Sequence, residues 1–160
     1  MGVTGSGKTT VGSLLAKDLG WQFADADSFH SPANIEKMRQ GIALDDADRA
    51  PWLAAMRAAI LLWSSERKNV VLACSALKRS YRETLRICPE VKFVYLKGNY
   101  EAILQRLRSR HGHFATETIL SNQFATLELP DDAIVVDATK TPDQLVTEIR
   151  RKLGIGQTLT

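Results

Sequence analysis

Little in this sequence marks it as anything but an ordinary folded domain. It has only two cysteines, Cys74 and Cys88, among 160 residues. Neither has a metal-like or redox spacing, so a disulfide framework and a cysteine-built metal site are excluded and a reducing compartment is implied. Long apolar runs are missing as well. The most apolar stretch, residues 53–63, is broken by Arg57 and is too short to cross a bilayer. The first residues are Gly-rich and polar rather than basic and then apolar, so no secretory leader is expected. Repeats, low-complexity tracts and Pro/Gly/Ser linkers are absent, which leaves no domain boundary. Nor does one sign of charge dominate: 21 Lys and Arg against 18 Asp and Glu give +3. With no basic stripe interleaved with aromatics, a nucleic-acid role ranks last. The expectation is a single cytoplasmic domain, 1–160, whose 44% hydrophobic content is enough to bury a core.

Short apolar runs at 21–26, 70–74, 91–96 and 133–136 read as strands. The second and last are continuous, as in parallel strands covered on both faces. Between them lie amphipathic segments: Val11, Leu14, Leu15 and Leu19 at helical spacing before Gly20, a long helix at 46–66, and another marked by Tyr100, Ile103, Leu104 and Leu107. Thr141-Pro142-Asp143-Gln144 combines an N-cap, a first-turn proline and a capping-box glutamine. Strand–helix alternation of this kind predicts an α/β fold with right-handed crossovers.

The strongest motif comes first. Gly2, Val3, Thr4, Gly5, Ser6, Gly7, Lys8 and Thr9 spell a full G-x-x-x-x-G-K-T, followed at once by an amphipathic helix that opens with Thr10. Glycines let backbone N–H groups converge on a phosphate, and the helix N-terminus favours the anion. Lys8 reaches the β- and γ-phosphates, and the Thr9 hydroxyl can ligate Mg²⁺. ATP binding is the expectation. Such a loop normally follows a strand, yet only Met1 precedes Gly2. With that central strand largely missing, its neighbours lose a ladder partner, and the chain as written is expected to be poorly stable.

Asp25-Ala26-Asp27 closes the first apolar run, which sets both carboxylates on one side of the pleat. Beside a phosphate loop, Asp25 suits Mg²⁺ and Asp27 suits the acceptor hydroxyl; two solvated strand-end aspartates are the plainer alternative.

Three blocks then carry a resemblance. They are Asp27-Ser28-Phe29-His30-Ser31-Pro32, Asn34-Ile35-Glu36-Lys37-Met38 with Gly41, and Leu44-Asp45-Asp46-Ala47-Asp48-Arg49-Ala50-Pro51-Trp52-Leu53. Together with Cys74-Ser75-Ala76-Leu77-Lys78, Tyr81-Arg82, Tyr95-Leu96-Lys97-Gly98, Gly112-His113-Phe114, Gln123-Phe124, Leu127-Glu128 and Val135-Val136-Asp137, the chain closely resembles the gluconokinase family nearly end to end. The departures are the missing first strand and a serine, Ser31, where the family has histidine directly before proline.

The resemblance implies a three-layer P-loop kinase fold with a mostly parallel sheet, a helical substrate-binding excursion at about 31–65, a short lid at about 108–115, and a homodimer. The implied reaction is transfer of the ATP γ-phosphoryl to the 6-hydroxyl of D-gluconate. A sugar acid needs a cation fork and several hydrogen-bonding groups. Arg49, His30, Lys78 and Arg82 are the candidates; pairing of Arg49 with Asp45, Asp46 or Asp48 is its alternative. Residues 106–114 crowd three arginines and two histidines around one glycine. By resemblance this is the lid, with Arg106 and Arg110 contacting adenine or phosphate and supporting catalysis beside Lys8 and Asp27; a solvent-facing basic helix end is the alternative. Residues 137–142 would form a wall of the adenine pocket. Two rival readings stay open: a shikimate-type kinase, and an inactive nucleotide-binding remnant lacking its first strand.

Overall fold

The computed structural model describes residues 1–109 and 113–155, the side chains of 113–116 excepted. Its elements are α1 (Lys8–Leu19), β1 (Gln22–Asp25), α2 (Pro32–Arg39), α3 (Asp46–Ser65), β2 (Val70–Ala73), α4 (Arg79–Leu85), β3 (Val94–Lys97), α5 (Tyr100–Arg108), α6 (His113–Thr126), β4 (Ile134–Asp137) and α7 (Pro142–Leu153). The four strands and the helices α1, α3, α5 and α7 fall close to where the periodicity predicts, with α2, α4 and α6 added between them. Local chemistry sets the helix ends. Gly20 closes α1 in the left-handed conformation at φ 66°, and α7 opens with the Thr141–Gln144 capping box. Ser31 acts as the N-cap of α2, accepting from the Asn34 amide, with Pro32 in the first turn.

All strand pairs are parallel, and the fold is α/β. β1 lies beside β2 with Phe23 opposite Val71, and β3 beside β4 with Leu96 opposite Val136. Alternate side chains serve different cores. Val71, Val94, Leu96 and Val136 pack with α1 and α7, while Leu72, Phe93 and Cys74 pack with Trp52, Leu53 and Met56 of α3 and with α4. A third cluster joins Val3 to Ile103, Leu104, Leu107 and Leu120 of α5 and α6. None of the described helices is long and apolar enough to cross a membrane.

β2 and β3 do not pair with each other. Their inner edges flank a cavity of about 610 Å³ lined by Val71, Leu72, Phe93, Val94, Val11 and Leu15, among others. Met1 and Gly2 bridge its upper end in strand-like fashion. The Met1 amine donates to Val94 O at 2.5 Å, Leu96 N–H to Met1 O at 3.0 Å, and Gly2 N–H to Ser75 O at 3.2 Å.

One local expectation is corrected. Asp25 and Asp27 do not share a pleat, because β1 ends at Asp25 and a 3₁₀ turn, Ala26–Phe29, follows. The Asp25 side chain caps that turn, accepting from the Asp27 amide at 3.0 Å. A short acidic side chain that bonds its own backbone two residues on draws the chain away from the ladder.

Candidate active site

The phosphate loop joins the upper ends of the strands to α1. Gly7 is the N-cap of α1 at φ 100°, and no side chain caps this helix start. The first amides are thus left without a side-chain cap among the described residues, as an anion-binding terminus requires. Gly5, at φ 75°, allows a close approach: a Cβ there would lie 2.6 Å from Leu107 Cγ. Lys8 Nζ donates to Val3 O at 2.9 Å and stays against its own loop. Burial pushes its ammonium below the usual lysine range, while Cys74, Asp27 and Asp25 pull the other way.

Thr9 Oγ1 donates to Asp25 Oδ2 at 3.1 Å. This places the two expected metal-side oxygens together where β1 ends. Asp27, on the exposed turn, acts electrostatically on both Lys8 and His30. His30 stacks on Trp52, centroids 4.7 Å apart and planes within 5°, and Trp52 Nε1 donates to Ala26 O at 2.7 Å. The His30 Nδ1 is buried with no hydrogen-bond partner among the described residues. Burial lowers its pKa most; Asp27 raises it and Arg49 lowers it.

Arg49 pairs with none of its neighbouring acids. Asp45 and Asp48 are spent on the capping box of α3, Asp48 also pairs with Lys37 at 2.6 Å, and Asp46 pairs with Lys78 at 2.8 Å. Arg49 instead donates through Nη1 to Tyr81 Oη at 3.4 Å. Tyr81 in turn donates to Asp46 at 2.5 Å. Hydrogen bonds from Lys78 and then Tyr81 hold the Asp46 carboxyl below the usual range, and the Asp46 bond raises Lys78. Asp46, Arg49, Lys78 and Tyr81 thus form one polar group at the start of α3 and α4.

Arg82 stands apart. It is 5% exposed, and its guanidinium donates to the carbonyls of Ala76 at 2.9 Å, Leu77 at 3.0 Å and Glu128 at 2.9 Å. It braces the loop after β2, where Ala76 adopts a left-handed φ of 45°. The structure thus places the expected substrate residue Arg82 against loop carbonyls, buried rather than open.

On the other side of the loop, Arg106 Nη2 donates to Ala138 O at 2.8 Å, and Nη1 to Gly5 O at 3.4 Å and Ser6 O at 3.5 Å. This joins α5, the phosphate loop and the segment after β4. Arg110 lies outside the described residues. Tyr81 and Gln123 enter the sequence reading only as residues that carry the resemblance, with no site role, and Asp46 not as a partner of Lys78; Gln123 Oε1 accepts from Thr4 N–H at 2.6 Å. No spacing signal could find Gln123, because 119 residues separate the pair.

The family model described as shikimate kinase matches residues 4–154. A gluconokinase of Gluconobacter oxydans is 46% identical over 155 residues, covering 94% of this chain and 87% of that protein. A solved gluconokinase structure from Sinorhizobium meliloti superposes with a TM-score of 0.85 at 40% identity, covering 96% and 89% of the two chains. A shikimate kinase structure from Bacteroides thetaiotaomicron has a TM-score of 0.68 at 19% identity, with 96% and 95% covered; that likeness shows the fold alone.

Proposed function

This chain belongs to the gluconokinase family of P-loop kinases and is a phosphotransferase acting on gluconate, and on that premise we propose how its residues carry the transfer. The ATP γ-phosphoryl passes to the 6-hydroxyl of D-gluconate, giving 6-phosphogluconate and ADP. The observation that carries this reading is the place of Asp27: its N–H is capped at 3.0 Å by Asp25, which accepts from Thr9 of the phosphate loop at 3.1 Å, and its carbonyl accepts from His30 N–H at 3.3 Å. A carboxylate so placed stands between donor and acceptor sides.

Lys8 and the amides at the start of α1 neutralise the transferring phosphate. Asp27 orients the 6-hydroxyl and takes its proton as the oxygen bonds to phosphorus and the bond to ADP breaks. Arg49, His30 and Lys78 hold the carboxylate and hydroxyls of gluconate, Arg49 presenting a fork. Arg82 supports this side from beneath. Arg106 and the backbone at Ala138 border the nucleotide, and residues 31–65 form the substrate-binding excursion of a three-layer kinase fold.

Thr9 and Asp25 fit Mg²⁺. Both offer hard oxygens, brought to 3.1 Å of each other where β1 ends. When bound, Mg²⁺ supplies charge neutralisation to the phosphates.

The site of transfer is tested by phosphorus–proton correlation NMR of the product formed from D-gluconate. A phosphorus coupled to the methylene protons of the terminal carbon is expected. Coupling to a single methine proton would place the ester on a secondary hydroxyl and overturn the assignment.

A further inference from the structure

The phosphate loop is held from two sides. Its inner half runs into α1, which fixes Gly7 and Lys8. Its outer half, Val3 to Ser6, is seated on α5 and α6, the two helices that flank residues 110–112. From α5, Leu107 presses on Gly5 so closely that a Cβ there would sit 2.6 Å from Leu107 Cγ. Arg106 of the same helix reaches the Gly5 and Ser6 carbonyls. From α6 comes one polar contact, Gln123 Oε1 accepting the Thr4 N–H at 2.6 Å.

That contact is built with some precision. An amide N–H needs an acceptor, so the carboxamide can take only one of its two orientations here. Leu120, one turn earlier on the same face of α6, is fully buried in the cluster that contains Val3 and Leu107. It anchors the helix so that Gln123 meets the loop in register. Just beyond α6, Glu128 N–H donates to Leu77 O at 2.9 Å, and Glu128 O accepts from Arg82. The same segment therefore touches the loop after β2 that leads to Lys78.

We propose that Gln123 is a positioning residue for phosphoryl transfer. It fixes the outer half of the phosphate loop to α6 and carries the placement of that helix, next to the expected lid, into the amides that face the nucleotide. The inference rests on the reading of residues 2–9 as the ATP phosphate loop. A small shift of the loop is costly because transfer depends on in-line alignment, and displacements near 1 Å can cost about 100-fold in rate. A purely structural contact would act on stability and on both substrates alike.

The test compares wild type with Gln123→Met, which keeps the length of the side chain and removes the acceptor, and with Gln123→Ala. Steady-state kinetics with Mg-ATP and D-gluconate are read beside thermal melting. The expected result is a fall in kcat of about tenfold or more, with KM for gluconate within about twofold and Tm nearly unchanged. Wild-type kcat in Gln123→Met overturns the inference. So does a loss of kcat that only follows a large drop in Tm and a parallel rise in both KM values. A wild-type chain that neither binds nor turns over ATP would sink the phosphate-loop reading and this inference together, and is thereby distinguishable.

Discussion

Arg106 Nη2 and the Ala138 carbonyl lie 2.8 Å apart, a bond that ties α5 to the turn after β4 directly beside the phosphate loop. The other terminal nitrogen of the same guanidinium reaches the Gly5 and Ser6 carbonyls. A side chain that spans these segments holds α5, the phosphate loop and the turn after β4 together. It also decides against a solvent-facing helix end for this arginine.

Arg106→Ala is therefore expected to lower kcat/KM for ATP by about tenfold to 100-fold, as for loss of a charge-assisted contact worth roughly 1.5–3 kcal/mol. KM for gluconate should stay within a few-fold. A rate with ATP within a few-fold of wild type would contradict the placement.

Arg49 makes a long bond to the Tyr81 hydroxyl and lies 5.9 Å from the Tyr81 ring centroid, while its acidic neighbours are engaged elsewhere. Arg49→Ala should raise KM for gluconate about tenfold or more and leave KM for ATP unchanged. Arg49→Lys should recover little, because a point charge does not replace a planar fork. Equal losses for both substrates would argue against a carboxylate-binding role.

Arg82 makes a prediction of a different kind. Arg82→Met takes the guanidinium donor from the Ala76 and Glu128 carbonyls and leaves Leu77 O with the Glu128 N–H alone, at a cost of about 1–3 kcal/mol for a buried polar group. For a domain of this size each kcal/mol is about 2–4 °C in Tm. A fall of several degrees is expected from melting curves, and an unchanged Tm would return Arg82 to the substrate side.

The cavity between β2 and β3 predicts a gain. An apolar extended segment added ahead of Met1 would pair with both inner edges and fill about 610 Å³. Each buried Val or Ile contributes about 1.5–3 kcal/mol against the entropy of ordering it. Tm should rise by several degrees. No gain would show that the edges do not accept a strand.

Much of this was legible in the sequence, for identifiable reasons. The phosphate loop, the parallel pairs and the α7 capping box follow from local spacing and period. The turn at Asp25–Phe29 escaped the strand pattern because capping by Asp25 competes with the ladder. Arg82 looked like a ligand in sequence, where a buried arginine bonded to carbonyls cannot be told from an open one. The Lys78–Asp46–Tyr81 group and the Gln123–Thr4 bond join residues 32 to 119 positions apart, which only the fold brings together.

His30 supplies a pH dependence. Burial lowers its pKa below the usual 6.5, so the unfolded chain binds the proton first as pH falls. Stability from this group is complete above about pH 6.5 and is lost as pH drops toward the lowered folded value. His30→Asn should melt with a shallower loss of Tm between pH 7 and pH 5.5 than wild type, roughly the range of an ordinary histidine. Parallel curves would contradict the burial of His30.

The most direct measurement is ADP release by residues 1–160 with Mg-ATP, comparing D-gluconate, shikimate and no acceptor. Release that depends on gluconate, with shikimate no better than no acceptor, is the expected result. Release that prefers shikimate, or ATP binding by a folded chain without turnover on any acceptor, would contradict gluconate kinase activity for this chain.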